Sequence, residues 1–123
     1  LCQLKSPHEV MTLSVMADRQ TLKLPTDKIL YIDHQNRVTR IHTAERVIPV
    51  SGGFQEVTAA LQKDKRFLAC YRGILINMDH ISHVDSQTFR LINGEELPIS
   101  LRNRKQLREV YRQYVFSGME GIV

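Results

Sequence analysis

Arginine and asparagine recur in this sequence at points where the chain breaks between apolar segments: Asn36-Arg37, Arg72-Gly73 and Arg102-Asn103. These side chains carry paired hydrogen-bonding atoms that match the edges of guanine and adenine in the major groove. Three such turns on one scaffold would suit recognition of a duplex. Spacing along the chain does not show that they converge. From the third turn onward, residues 102–112 hold Arg102, Arg104, Lys105, Arg108 and Arg112 against Glu109 alone. That short stretch equals the net charge of +4 of the whole chain. A concentrated cationic footprint attracts phosphate more effectively than the same charge spread evenly. Arg104, Arg108 and Arg112, each four apart, share one side of a helix, although a solvated helix face has the same pattern.

Other reactive side chains lack the arrangement that chemistry needs. His80 and His83, with Asp79 and Asp85, offer metal-ligating atoms, but positions 80 and 83 have opposite parity in a strand and point apart. His34 and His42 join them in inviting a metal reading, but a ligand cluster needs a convergence that this spacing does not supply. Glu95 and Glu96 are adjacent in a strand and face opposite sides, so they make no acid/base pair. Ser51-Gly52-Gly53 lacks the Lys-Ser/Thr of a phosphate loop and serves more simply to turn the chain. Cys2 and Cys70 form no metal framework, and a cytosolic setting leaves both as thiols, with Cys70 a small buried or half-buried strand residue. No catalytic residue, metal or cofactor is expected, and an enzyme is the weakest reading.

The elements that must position the arginines follow from periodicity. At 123 residues, 42% hydrophobic and 24% charged, the chain has the balance of one globular domain. No apolar run is long enough to span a bilayer. Residues 1–10 lack the apolar core of a signal peptide, and the start at Leu1 reads as a piece cut from a longer protein. Val10, Thr12 and Ser14 alternate with Met11, Leu13 and Val15 as a strand, and Arg19-Gln20 turns into Thr21–Leu24. Further strands are expected at Ile29–Asp33, Val38–Thr43, Arg46–Val50, Phe67–Tyr71, Ile74–Asn77, His80–Asp85, Thr88–Ile92 and Glu95–Ile99. Asn93-Gly94 has the signature of a type I′ hairpin turn, in which both central residues take positive φ. Gly53 is a plausible N-cap for a helix over 54–63, with Glu56 at its third position. A second helix, about Arg104 to Phe116, is capped by Asn103 and buries Leu107, Val110, Tyr111, Tyr114 and Val115. Ser117–Val123 is expected to be loose. The result is a mainly β domain with two short helices.

Three blocks of this sequence resemble the LytTR DNA-binding domain. They are Ile29–Asp33 with Arg37–Thr43, Phe67–Ile81, and Leu91–Arg102 with its run Leu91-Ile92-Asn93-Gly94 through Leu97-Pro98-Ile99-Ser100. They come in the family's order and span most of residues 29–112, within a core of about 10–116. The resemblance implies an elongated fold of about ten strands in small antiparallel sheets, contacting DNA by loops rather than by a recognition helix. It implies double-stranded DNA as partner, bound as direct repeats by two protomers, with loops entering successive major grooves. It further implies a cytoplasmic bacterial response regulator as parent, with an upstream receiver domain and its sensor kinase, and no membrane partner. Carried over by position, the base-reading places fall on Arg37 with Asn36 beside it, on Arg72 and on Arg102. Asn103 and Lys105 match phosphate-holding positions, and Arg104 and Arg108 join Lys105 in acting through charge. Ala69, Tyr71, Gly73 and Leu101 depart from the family's frequent Arg, His, Ser and Arg, which implies modest affinity or an unusual target. The rival reading is a small β-rich protein- or ligand-binding regulatory module.

Overall fold

Ile29 to Asp33 are buried without a break, the signature of a strand covered on both faces. The computed structural model, which describes residues 12–122 and side chains of 12–117, places this strand in the middle of the molecule. Cys2 and the expected strand start at Val10-Met11 lie outside the described residues. In chain order the elements are β1 (Thr12–Ala17), β2 (Gln20–Pro25), β3 (Ile29–Gln35), β4 (Val38–Thr43) and β5 (Val47–Val50). Then come α1 (Phe54–Ala59), β6 (Phe67–Tyr71), β7 (Ile74–Asn77), β8 (Ile81–Val84), β9 (Thr88–Leu91), β10 (Glu96–Pro98) and α2 (Arg104–Ile122).

The strands form a five-stranded sheet in the order β5-β4-β3-β7-β6, a β1-β2 hairpin and a three-stranded sheet β10-β9-β8. Every pairing is antiparallel. The five-stranded sheet divides two cores. On one side Ile29, Ile32 and Ile41 pack with Leu13 and Val15 of the hairpin and with Val57 and Leu61 around α1. On the other, Leu30, Tyr31 and Ile76 pack with Phe89 and Leu97 of the small sheet and with Ile99 just past it. There α2 adds Leu107, Tyr111 and Tyr114, whereas Val110 and Val115, expected in this core, are exposed.

A bulge explains how β3 feeds both cores. Ile29 pairs with Thr43 and Tyr31 with His42, so two residues of β3 oppose one of β4. The extra residue flips the parity of the strand, which puts Ile29 and Ile32 on one face and Leu30 and Tyr31 on the other. A second shift in β6, between Ala69 and Tyr71, directly precedes the Arg72-Gly73 turn. The sheets are stitched by polar side chains as well. Asn77, fully buried, donates from Nδ2 to the Ile29 carbonyl at 2.9 Å and accepts from the Asp79 N–H at 3.0 Å. The first bond satisfies the carbonyl of a fully buried residue, and the second caps the short turn Met78–His80.

Several boundaries differ from the sequence-based expectation for physical reasons. The helix expected over 54–63 spans Phe54–Ala59, after which bonds from Leu61 N to Thr58 O and Gln62 N to Ala59 O tighten the chain into i→i+3 turns. Gly53 does precede it, and the Glu56 carboxylate accepts from the Gly53 N–H at 3.4 Å. The turn expected at Arg19-Gln20 is centred one residue earlier, on Asp18-Arg19. At Asn93-Gly94 only the glycine has positive φ, 95°. Gly94 N bonds to Leu91 O and Leu91 N to Glu95 O, which makes a three-residue loop with a glycine bulge rather than a type I′ turn. Glu95 closes that loop opposite Leu91, and β10 runs over Glu96–Pro98, shorter than the expected strand. The last helix does not end at Phe116: its backbone continues to Ile122, because Gly118 and Gly121 cost a helix only about 1 kcal/mol each.

Candidate nucleic-acid interface

Each arginine turn is shaped by its own backbone chemistry. β3 and β4 are joined by Asn36 and Arg37 at φ 52° and 66°, with Gln35 paired to Val38, which is the two-residue type I′ geometry. Asn tolerates this region, whereas Arg37 is held there by the strand twist on either side. Below the turn, Arg40 lies 3.4 Å from the Asp33 carboxylate and also bonds Gln35, so it is engaged within the sheet. Asp33 further meets His42 Nε2 at 3.0 Å, and the His42 ring stacks on Tyr31 with centroids 3.9 Å apart. Burial and the neighbouring Glu95 carboxylate hold the Tyr31 phenol above its ordinary range.

Arg72 and Gly73 join β6 to β7, with Gly73 at φ 76°. A Cβ on Gly73 would meet nothing closer than His34 O at 3.9 Å, so the need for glycine is conformational rather than steric. Gly73→Ala is therefore expected to cost about 1–2 kcal/mol, with urea denaturation as the measurement. An unchanged midpoint would mean that the turn relaxes out of the left-handed region.

The fold brings the roots of the three turns together. His34 N, just before the first turn, donates to Gly73 O in the second at 3.1 Å. Cys70 O, just before the second, accepts from Ser100 N, just before the third, at 2.7 Å. The first and second turns thus sit side by side at one end of the central sheet, and the third is tied to its edge strand. Cys70 itself is fully buried, and burial pushes its thiol up to about 12, so it packs rather than reacts.

Asn36, Arg37, Arg72, Arg102, Asn103, Lys105 and Arg108 are all exposed. Among the described residues, none of these arginines or Lys105 is held in an ion pair. Arg104 is placed differently. It is half-buried, donates from Nη2 to the Ile99 carbonyl at 3.2 Å, and has its Nε buried without a partner among the described residues. It fastens the start of α2 to the end of the small sheet more than it extends the cationic stripe. Arg112 lies 3.8 Å from Glu109, which leaves the Arg102–Arg108 end as the positive one. There, a groove of about 630 Å³ is lined by Arg102, Asn103, Lys105, Gln106, Glu109 and Gln113. Arg66, another basic residue upstream of the second turn, is buried and serves the core. Among the described residues no His/Cys/Asp/Glu cluster could hold a metal ion. Arg19, read from the sequence only as a turn residue, is an exposed cation at φ 63° on the β1-β2 turn, and β1 reaches the end of β5 through Ser51 N to Met16 O at 2.8 Å.

The model of the LytTR DNA-binding domain family matches residues 19–112, three quarters of the chain and all three arginine turns. The chain belongs to the LytTR family. The fold of this LytTR domain is also that of a solved structure described as the LytTr DNA-binding domain of a methyl-accepting/DNA response regulator from Bacillus cereus. The two superpose with a TM-score of 0.67 at 20% identity, over 80% of this chain and 94% of that one. No curated protein matches the chain. The family assignment makes this a DNA-binding domain and agrees with its roughly ten short strands and two helices. None of its helices, among the described residues, is long and apolar enough to cross a membrane.

Proposed function

We propose that this LytTR domain binds double-stranded DNA sequence-specifically and without catalysis, as the effector part of a bacterial two-component transcriptional regulator in the cytoplasm. The observation that carries the reading is the lacing of the three arginine turns through His34–Gly73 and Cys70–Ser100, which gives them a common frame. On this reading Arg37, Arg72 and Arg102 meet base edges in the major groove, with Asn36 beside the first. Asn103, Lys105 and Arg108 hold phosphates at the mouth of the groove along α2, and Arg104 adds charge from its anchored position. The operator consists of direct repeats spaced near one helical turn, each read by one protomer. An upstream receiver domain, acted on by a sensor kinase, sets how often two protomers meet on the repeats.

The test is selection of this domain on a labelled randomised duplex pool at two salt concentrations. Enrichment of a repeated motif, with affinity falling steeply in salt, supports the reading and supplies the operator. No enrichment at either salt, or binding that barely responds to salt, would move the domain to the class of protein- or ligand-binding regulatory modules.

Base and phosphate roles separate by mutation. Arg102→Ala is expected to cost ~1–3 kcal/mol on the selected duplex and to blur preference at one position. Lys105→Ala is expected to weaken all sequences about equally and to lower the salt slope by roughly one unit. Equal losses on selected and random DNA for Arg102→Ala would remove it from the base readers.

A further inference from the structure

Leu101 is 77% exposed, more than any other large apolar side chain among the described residues. Its position is fixed by its neighbours. Ile99, 1% exposed, fills the last core position of this segment, with its N–H bonded to Gln87 O at 2.9 Å and its carbonyl to Arg104. Ser100 is then bonded to Cys70, and the chain turns away from the core. Leu101 is left on the outside next to Arg102, with Lys105 on the first turn of the helix. The same pairing of one exposed apolar residue with one arginine occurs at the other two turns, where Tyr71 (45% exposed) adjoins Arg72 and Val38 (40% exposed) adjoins Arg37.

A leucine set among cations has no use for phosphate. In the major groove the one apolar feature of the base edges is the C5-methyl group of thymine. Adjacent Cα atoms lie about 3.8 Å apart, close to the roughly 3.4 Å rise between base pairs, so neighbouring residues can meet neighbouring pairs. We propose that Leu101 is a specificity-determining residue that packs on the methyl group of a thymine beside the base pair met by Arg102. The inference rests on the DNA-binding reading above. It predicts that the selected operator carries a thymine at a fixed step from the position that Arg102→Ala blurs.

The test replaces that single thymine with uracil, which removes the methyl group and leaves every hydrogen-bonding atom in place. The domain is expected to bind the uracil duplex about fourfold more weakly, the worth of one buried methyl. Leu101→Ala is expected to bind thymine and uracil duplexes equally and to keep its salt dependence. So exposed a side chain can be shortened without disturbing the core, and circular dichroism of the variant checks this. Equal binding of the two duplexes by the unaltered domain, with selection otherwise successful, would overturn the proposal and leave DNA binding standing. Persistence of the thymine preference in Leu101→Ala would overturn it too, and would move the contact to another residue such as Tyr71. If the unaltered domain enriches no duplex, the DNA-binding reading fails and takes this proposal with it.

Discussion

Replacing both Arg72 and Arg102 by alanine is expected to weaken binding to the selected duplex by ~2–6 kcal/mol, while binding to random DNA falls far less. Each bidentate arginine contact to a guanine is worth ~1–3 kcal/mol of discrimination. Both side chains are exposed and stand outside the two cores, so folding stability should change little. What the proposed roles leave in the double variant is the phosphate attraction of Lys105, Arg108 and the α2 groove, expected to be blind to sequence and to fade with salt. The measurement is a double-mutant cycle on the selected and on a scrambled duplex. Losses that add to within about 0.5 kcal/mol mean that the two arginines read separate base pairs. A large coupling would mean that the Cys70–Ser100 link transmits a shift of one turn to the other. A loss of equal size on scrambled DNA would assign both arginines to the backbone and leave the domain without base readers at these turns.

The strands were legible because their periodicity is simple. Leu13 and Val15, Leu22 and Leu24, and Ile41 with Thr39 alternate as half-buried strands do. The arginine turns were visible as polar breaks, and the LytTR blocks carried the family. What the linear sequence could not contain is the pair of backbone hydrogen bonds, His34–Gly73 and Cys70–Ser100, that join residues about 39 and 30 positions apart. Nor does a run of basic residues disclose which cations face inward. Arg66 and Arg104 look like Lys65 and Lys105 on paper. Their roles are decided by an aspartate two residues upstream in one case and a strand-end carbonyl in the other. The Asn93-Gly94 turn failed for a related reason: Asn-Gly favours a two-residue turn, but pairing of Leu91 with Glu95 demanded a third residue in the loop. Tertiary register overrode local preference there, while Asn36-Arg37, with the weaker local signal, took the type I′ form.

Arg66 shows how far burial separates structural from functional arginines. Its guanidinium donates to both Asp64 carboxylate oxygens, at 3.1 and 2.8 Å, and to Thr26 Oγ1 at 2.7 Å. Its backbone accepts from Met78 N at the root of the β6-β7 pair. Arg66→Met is expected to destabilise the fold by ~3–5 kcal/mol, since it leaves the buried Asp64 carboxylate without its cation. Urea denaturation measures this, and Asp64→Leu combined with Arg66→Met should restore much of the loss. The pH dependence has a definite sign. Burial by itself would raise the Asp64 carboxyl, but the Arg66 hydrogen bonds outweigh it and hold the group below its ordinary value. The stability it contributes is therefore present above about pH 4, the unfolded value, and is lost as pH falls through the lower folded one. In Arg66→Met the guanidinium's hydrogen bonds and charge are lost while the N–H of residue 66 still bonds Asp64 Oδ1 at 3.0 Å, so the folded Asp64 value moves upward and the stability lost on acidification shrinks. A variant with unchanged stability and unchanged acid response would show that the pair is solvated. The folded fraction of Arg66→Met should still select the same duplex, because the guanidinium never reaches the surface on which Arg72 stands. Loss of stability with binding kept for Arg66, and loss of binding with stability kept for Arg72, would separate two arginines six residues apart by the single physical difference of burial.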